Sequence, residues 1–327
     1  MPESRDTSSA ESGSLFHSPL ALFSVCALTF LASTLFLTGL RNMGVLGSGK
    51  LKLFHVLLAL APTLWVASSL VMFNEWRHLR TLWSGSWRQR LEAGLAVFLV
   101  ALLCLAPPTL PWLSSQSMLA AIFLRADELF ALPGFSTKFF ILKMLTITVV
   151  MLHLSSMFGV HLQLAGQLRR SLAAGEEPEA ERLAEDVQRY QQLRSRLERL
   201  LGFCAAIIGL SILITGAMRS LLKEVSPGPP ELLAPGHVMA FGAYYTWLLA
   251  LIYLPIRKTL QDVGHALAEG LMRQSLGKRV TWKQWHEERQ ALRTWLGLQG
   301  SALQELQQGL FVLVPLLAGI SSLALGA

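Results

Sequence analysis

The sequence predicts an all-α, polytopic integral membrane helix bundle, and three observations carry that prediction. Hydrophobic residues make up 52% of the chain and charged residues only 15%, whereas about a quarter of a soluble domain is charged. The apolar residues gather in separate runs near the ~20 residues an α-helix needs to cross hydrocarbon, without the two-residue alternation of an outer-membrane barrel. Lysine and arginine, finally, collect between alternate runs, as they do on the cytosolic side of membrane proteins.

Seven runs can be marked, at residues 19–40, 53–73, 91–106, 139–164, 201–222, 237–256 and 310–325. The third, no longer than the last, stops at Pro107-Pro108, close to the ~17-residue lower limit for a span. Alternation places residues 1–18, 74–90, 165–200 and 257–309 on one side, with 20 of the 28 lysines and arginines; the other side has seven, counting Arg219 near the outer end of the fifth run, and Lys143 lies within a run. The excess predicts a bacterial cytoplasmic membrane protein with seven spans, N-terminus cytosolic and C-terminus outside. Arg41, Lys50 and Lys52 in the first outer loop run against the rule. The net charge of +7 is thereby absorbed by topology, and no nucleic-acid partner is expected.

In order along the chain, residues 1–18 form a polar tail with no charged-then-apolar leader pattern, so the first span is expected to stay. Residues 19–164 carry spans one to four. After the second, Trp76, Trp83 and Trp87 interleave with Arg77, Arg80 and Arg88, an interfacial anchor of indole and guanidinium against lipid headgroups. Residues 112–132, bracketed by prolines, are too charged to cross and read as an outer amphipathic segment or re-entrant lid.

Residues 165–200 are the densest charged segment, with seven arginines and seven acids between Arg169 and Arg199. Within it Leu183, Val187, Tyr190, Leu193, Leu197, Leu200 and Cys204 recur at steps of three and four, the stripe of an amphipathic helix. Acids and a proline at Glu176-Glu177-Pro178 start that helix. The pattern predicts a cytosolic helical hairpin, coiled-coil-like, whose second arm continues into span five. Its stripe needs a covering surface: another segment of the chain, a second copy, or a cytosolic protein. Leu183, Val187, Tyr190, Arg189, Arg194 and Arg196 are the expected partner-binding residues.

Residues 201–256 hold spans five and six, with Gly202, Gly209, Ser211 and Gly216 marking close helix approach in span five. Residues 257–309 read as cytosolic amphipathic helices: 257–275, then a restart at Thr281, where Gln284 three residues on makes a capping box. Trp282, Trp285 and Trp295, with Lys283, Arg289 and Arg293 beside them, suggest a helix lying in the plane of the inner leaflet. A second capping box, Ser301 and Gln304, opens the helix of the last span, residues 310–327.

The candidates for chemistry are few. No Asp or Glu lies well inside a run, which argues against a proton- or sodium-coupled transporter. The last span has no lysine for a retinal Schiff base, and no nucleophile elbow, phosphate loop or metal-protease motif occurs. Cys26, Cys104 and Cys204 are too scattered for a metal motif, so neither catalytic nor metal-ligating residues are assigned. Intramembrane polar candidates are Lys143, which can snorkel outward, and His153 and His161, whose eight-residue separation, about 12 Å and 80°, keeps them from sharing one site on one helix. By depth, His55 pairs with His237 and His78 with His161, an arrangement that would suit b-type haem.

The expected function is therefore that of a membrane scaffold or signal-coupling component that engages a second copy or a cytosolic protein through residues 165–200, besides the bilayer itself. A passive channel or small-solute transporter and a haem b-binding electron carrier are the alternatives.

Overall fold

The computed structural model describes residues 18–42, 49–74, 86–113, 134–173, 180–225, 235–275, 281–298 and 302–325. Its elements are α-helices: α1 (Pro19–Asn42), α2 (Gly49–Asn74), α3 (Trp87–Leu113), α4 (Phe135–Ala173), α5 (Ala180–Val225), α6 (Pro235–Ser275), α7 (Trp282–Trp295) and α8 (Ala302–Leu325). Among the described residues six helices, α1 to α6, are long and apolar enough to cross a membrane. α3 begins at Trp87, ahead of the predicted run, and its stretch Trp87–Ala106, 20 residues, makes the span expected to be weakest one of the six. Within α8 the apolar stretch Gly309–Ser322 is shorter. Trp76, His78, Trp83, Ser301 and the outer segment 114–132 lie outside the described residues.

Three helices are much longer than a bilayer is thick. α4, α5 and α6 have 39, 46 and 41 residues, or about 58, 69 and 61 Å against ~30 Å of hydrocarbon. Each continues without a break from its apolar run into its charged segment, and together they form a three-helix stalk at the charged end. The α5 stripe Leu183, Val187, Tyr190, Leu193 and Leu197 is buried there with Leu260, Val263 and Leu267 of α6 and Leu164 of α4. Gln167 of α4, also buried, donates from Nε2 to the Asp186 carbonyl at 2.8 Å, which fixes the register of the α4/α5 hairpin.

In the apolar half the driving force differs, because lipid is as apolar as leucine and helices gain mainly by close packing. α8 lies against α5 and α6 with almost no side chain between them. A Cβ on Gly242 would stand 2.7 Å from the Pro315 carbonyl oxygen, and one on Gly209 2.7 Å from Val314 Cγ1. α2 packs on α5, while α1 and α3 lie outermost, α1 on α2 and α3 on α4. Lipid-facing leucines and phenylalanines on those two helices, such as Phe23, Leu28, Leu95 and Phe98, are exposed accordingly.

Two helix starts are capped as sequence chemistry requires. At α7 the Thr281 backbone N–H and hydroxyl both donate to Gln284 Oε1, at 3.4 and 2.9 Å. At α3, Ser86 and Gln89 bond reciprocally, N–H to Oε1 at 3.0 Å and N–H to Oγ at 3.5 Å, a second capping box.

Candidate functional site: the junction of α5, α6 and α7

α7 ends in a tight C-terminal turn. The Leu298 N–H donates to the Arg293 carbonyl at 2.7 Å and the Gly297 N–H to that of Thr294 at 2.9 Å, with Gly297 at φ +68°. These are the two bonds of a Schellman cap, whose C′ residue is left-handed and hence glycine. The cap satisfies inner carbonyls of α7 and leaves the Leu296 carbonyl facing away from its own helix.

Arg194 of α5 takes that carbonyl. Its Nη1 donates to the Leu296 oxygen at 2.8 Å while Nε pairs with Glu198 at 3.2 Å on the next turn. The guanidinium fills the space where a side chain on Gly297 would project. One turn earlier, the Tyr190 hydroxyl and Leu298 both stand in the space above Gly264 of α6, so that a Cβ there would require those side-chain ends to shift. Two glycines whose side-chain space is taken by neighbouring side chains thus close a three-way joint. Arg194 lies seven residues before Leu201, where the apolar run of α5 begins, so the joint sits about 10 Å beyond the hydrocarbon boundary.

The structure accounts for each predicted residue differently. Leu183, Val187 and Tyr190 are covered by the chain's own α4 and α6; of the three covering surfaces considered, another segment of this chain occupies the stripe. Arg194 is spent in the joint. Arg189 remains exposed and Arg196 half-buried. On α7, Trp285, Arg289 and Leu292 are partly covered and Leu296 is buried, whereas Trp282 and Trp295 stay exposed. The helix docks on α6 by one edge, with Trp282 stacked on Trp285 at 4.9 Å and Arg289 over the Trp285 ring at 4.9 Å. Trp87 is exposed at the start of α3.

Among the histidines, His55 and His153 are buried and His237 is exposed. His55 Nδ1 meets the Leu51 carbonyl at 2.8 Å and His153 Nδ1 that of Val149 at 2.7 Å. A carbonyl only accepts, so Nδ1 carries the proton and Nε2 presents a bare lone pair; among the described residues neither Nε2 has a hydrogen-bond partner. Phe54 and Phe135 touch, centroids 5.9 Å apart, which sets His55 level with the start of α4, whereas His153 is 18 residues further along α4, about 27 Å. The two imidazoles belong to separate points of the bundle. His161 is half-buried with its Nδ1 unpartnered among the described residues, and Lys143 is half-buried. Among the described residues no three His, Cys, Asp or Glu side chains cluster as a metal site would require.

Sequence reasoning missed three features. Arg219, counted with the outer loop, is buried in α5 at 7% exposure, and an ionisable group in a span is a candidate by default. Tyr244 and Tyr245 of α6 reach across to α3, with hydroxyls at 2.8 Å from the Leu103 carbonyl and 3.3 Å from that of Cys104. Gly297 is the third, although a glycine just after a helical run is a legible stop signal.

No protein-family model matches the chain, and no curated protein or solved structure is significantly similar to it.

Proposed function

We propose that this chain is a membrane scaffold or signal-coupling component, with seven spans, a cytosolic N-terminus and stalk, and an outer C-terminus. The observation that supports it is continuity: α4, α5 and α6 each run as one helix from the apolar bundle into the charged stalk. A shift of α4 or α5 in the membrane is carried along a helix without internal proline to the Arg194 joint and to α7. The lysine and arginine distribution supports the orientation, and the seventh span is the apolar part of α8, Gly309–Ser322.

Since the apolar stripe is used internally, the surface left for a second copy or a cytosolic protein is the outward side of α5, with Arg182, Glu185, Arg189 and Gln192 exposed. Reversing Arg189 and Arg196 together to Glu is expected to change oligomer size or the set of proteins that co-purify from native membranes. If neither changes while the protein stays monodisperse, the scaffold reading fails.

The bare Nε2 atoms of His55 and His153 favour a second reading, a haem b-binding electron carrier. Metal-ligating histidines characteristically place the other ring N–H on a carbonyl, as both do here. Protein purified from haem-replete cells would then show a Soret band that His153→Ala or His55→Ala weakens; a colourless preparation excludes it.

A further inference from the structure

A helix that contains proline leaves a carbonyl four residues earlier without its N–H donor. In α3 the pair Pro107-Pro108 orphans two consecutive carbonyls, those of Leu103 and Cys104. Within hydrocarbon no water can replace the missing donors, so another group must. Tyr244 and Tyr245 donate to those two oxygens, at 2.8 and 3.3 Å, their rings packed edge-to-face with centroids 5.4 Å apart. The match is one hydroxyl for each missing N–H.

The next residue of α6 serves a second proline. In α8, Pro315 interrupts the ladder, and the following N–H, that of Leu316, donates to Thr246 Oγ1 at 3.0 Å. Gly242, one turn earlier on α6, lets the Pro315 carbonyl approach. One turn of α6 thus fastens the weakened points of two neighbouring helices. The contact with Val314 places Gly209 of α5 at the same depth, near the middle of its apolar run, residues 201–222.

The two helices are held differently. α8 is wedged between α5 and α6, but α3 lies at the rim and packs mainly on α4. Among the described residues, the tyrosine hydroxyls are hydrogen bonds that join α3 to α6.

We propose that Tyr244 and Tyr245 form a releasable latch within the bilayer, and that α3 hinges at Pro107-Pro108 when the latch opens. Backbone hydrogen bonds of an intact helix would have to melt for such a bend, whereas side-chain hydroxyls let go by rotamer change. The opening parts α3 from α6 beside Cys104, which is buried at 3% in the closed state.

Cys104 supplies the readout. In full-length protein with Cys26→Ala and Cys204→Ala, alkylation of Cys104 by N-ethylmaleimide in lipid nanodiscs is expected to be slow. Tyr244→Phe with Tyr245→Phe should accelerate it roughly tenfold, as expected for two lost hydrogen bonds of ordinary strength. The decisive arm is Pro107→Ala with Pro108→Ala. Residues 107 and 108 then donate to the two carbonyls themselves, and the tyrosine substitutions should leave the rate within about twofold. Equal acceleration in both backgrounds, or no acceleration in the proline background, overturns the latch. Should the double tyrosine variant not remain monodisperse, Tyr244→Phe alone, which removes the shorter bond, carries the same comparison, with an acceleration of about threefold.

Discussion

Arg194 and Gly297 occupy one space: the guanidinium of the first lies where any side chain on the second would begin. The two residues are 103 positions apart in sequence and define how α7 is held against the stalk. Two conditions coincide at Gly297, a left-handed backbone with φ +68° and the adjacent cation.

Gly297→Ala should therefore cost more than the ~1–2 kcal/mol of a left-handed alanine, because Arg194 must also move. In the Arg194→Ala background the same substitution should cost only the backbone part. Thermal unfolding of the four proteins in detergent measures the difference, and strictly additive shifts would show that the two residues do not share the site.

Arg194→Ala by itself removes a charged donor from the Leu296 carbonyl, worth about 1.5–3 kcal/mol. Glu198→Ala, which removes a pair partner that is 37% exposed, should cost below ~1 kcal/mol. Arg189→Ala, on the open side of α5, should stay within about 0.5 kcal/mol. Limited proteolysis after α7 should follow the same order, fastest for Arg194→Ala; a reversed order counts against the joint.

Gly242→Val places a branched side chain against the Pro315 carbonyl, where even a Cβ would be 2.7 Å away. Overpacking of this kind costs about 1–3 kcal/mol, and here it acts on α8 through backbone that cannot rotate aside. The expected outcome is a lower unfolding temperature with α8 displaced from α6, read as loss of a cross-link between cysteines placed at Val238 and Gly319. A Gly242→Val protein with unchanged stability and cross-linking would show that α8 is not held there.

The seven-span proposal predicts tails on opposite sides. Single cysteines at Arg5 and Ala327 in a cysteine-free protein should react with a membrane-impermeant maleimide from opposite faces of sealed vesicles. Labelling of both from one face would leave an even number of spans and remove α8 from the membrane.

Much of the helical order is legible along the chain. The three- and four-residue recurrence from Leu183 to Cys204 gives the amphipathic start of α5, and Thr281 with Gln284 gives the start of α7, since both signals act over one or two turns. The candidate joint was only half legible. Arg194 stands among seven arginines of similar surroundings, and nothing local distinguishes it from Arg189, whose side chain stays exposed. What separates them is Leu296, which arrives from another helix.

The residues of α7 differ in burial for a similar reason. Trp285 and Leu292 have the spacing of a membrane-facing edge, but the stalk of α6 offers apolar surface of the same kind, and Trp282 and Trp295 are left outside. Hydrophobicity specifies that an edge is covered and leaves open by what.

The sequence by itself determined that this chain is a helical membrane protein with a charged helical extension, because burial of backbone in hydrocarbon and of an apolar stripe in water are one-dimensional demands written at fixed periods. Only the tertiary structure decided that α6 completes the stalk, that Arg194 closes on the turn after α7, and that Tyr244 and Tyr245 answer Pro107 and Pro108. Those are pairings between distant residues, set by the directions in which side chains and orphaned carbonyls point once the helices have packed, and no periodicity encodes them.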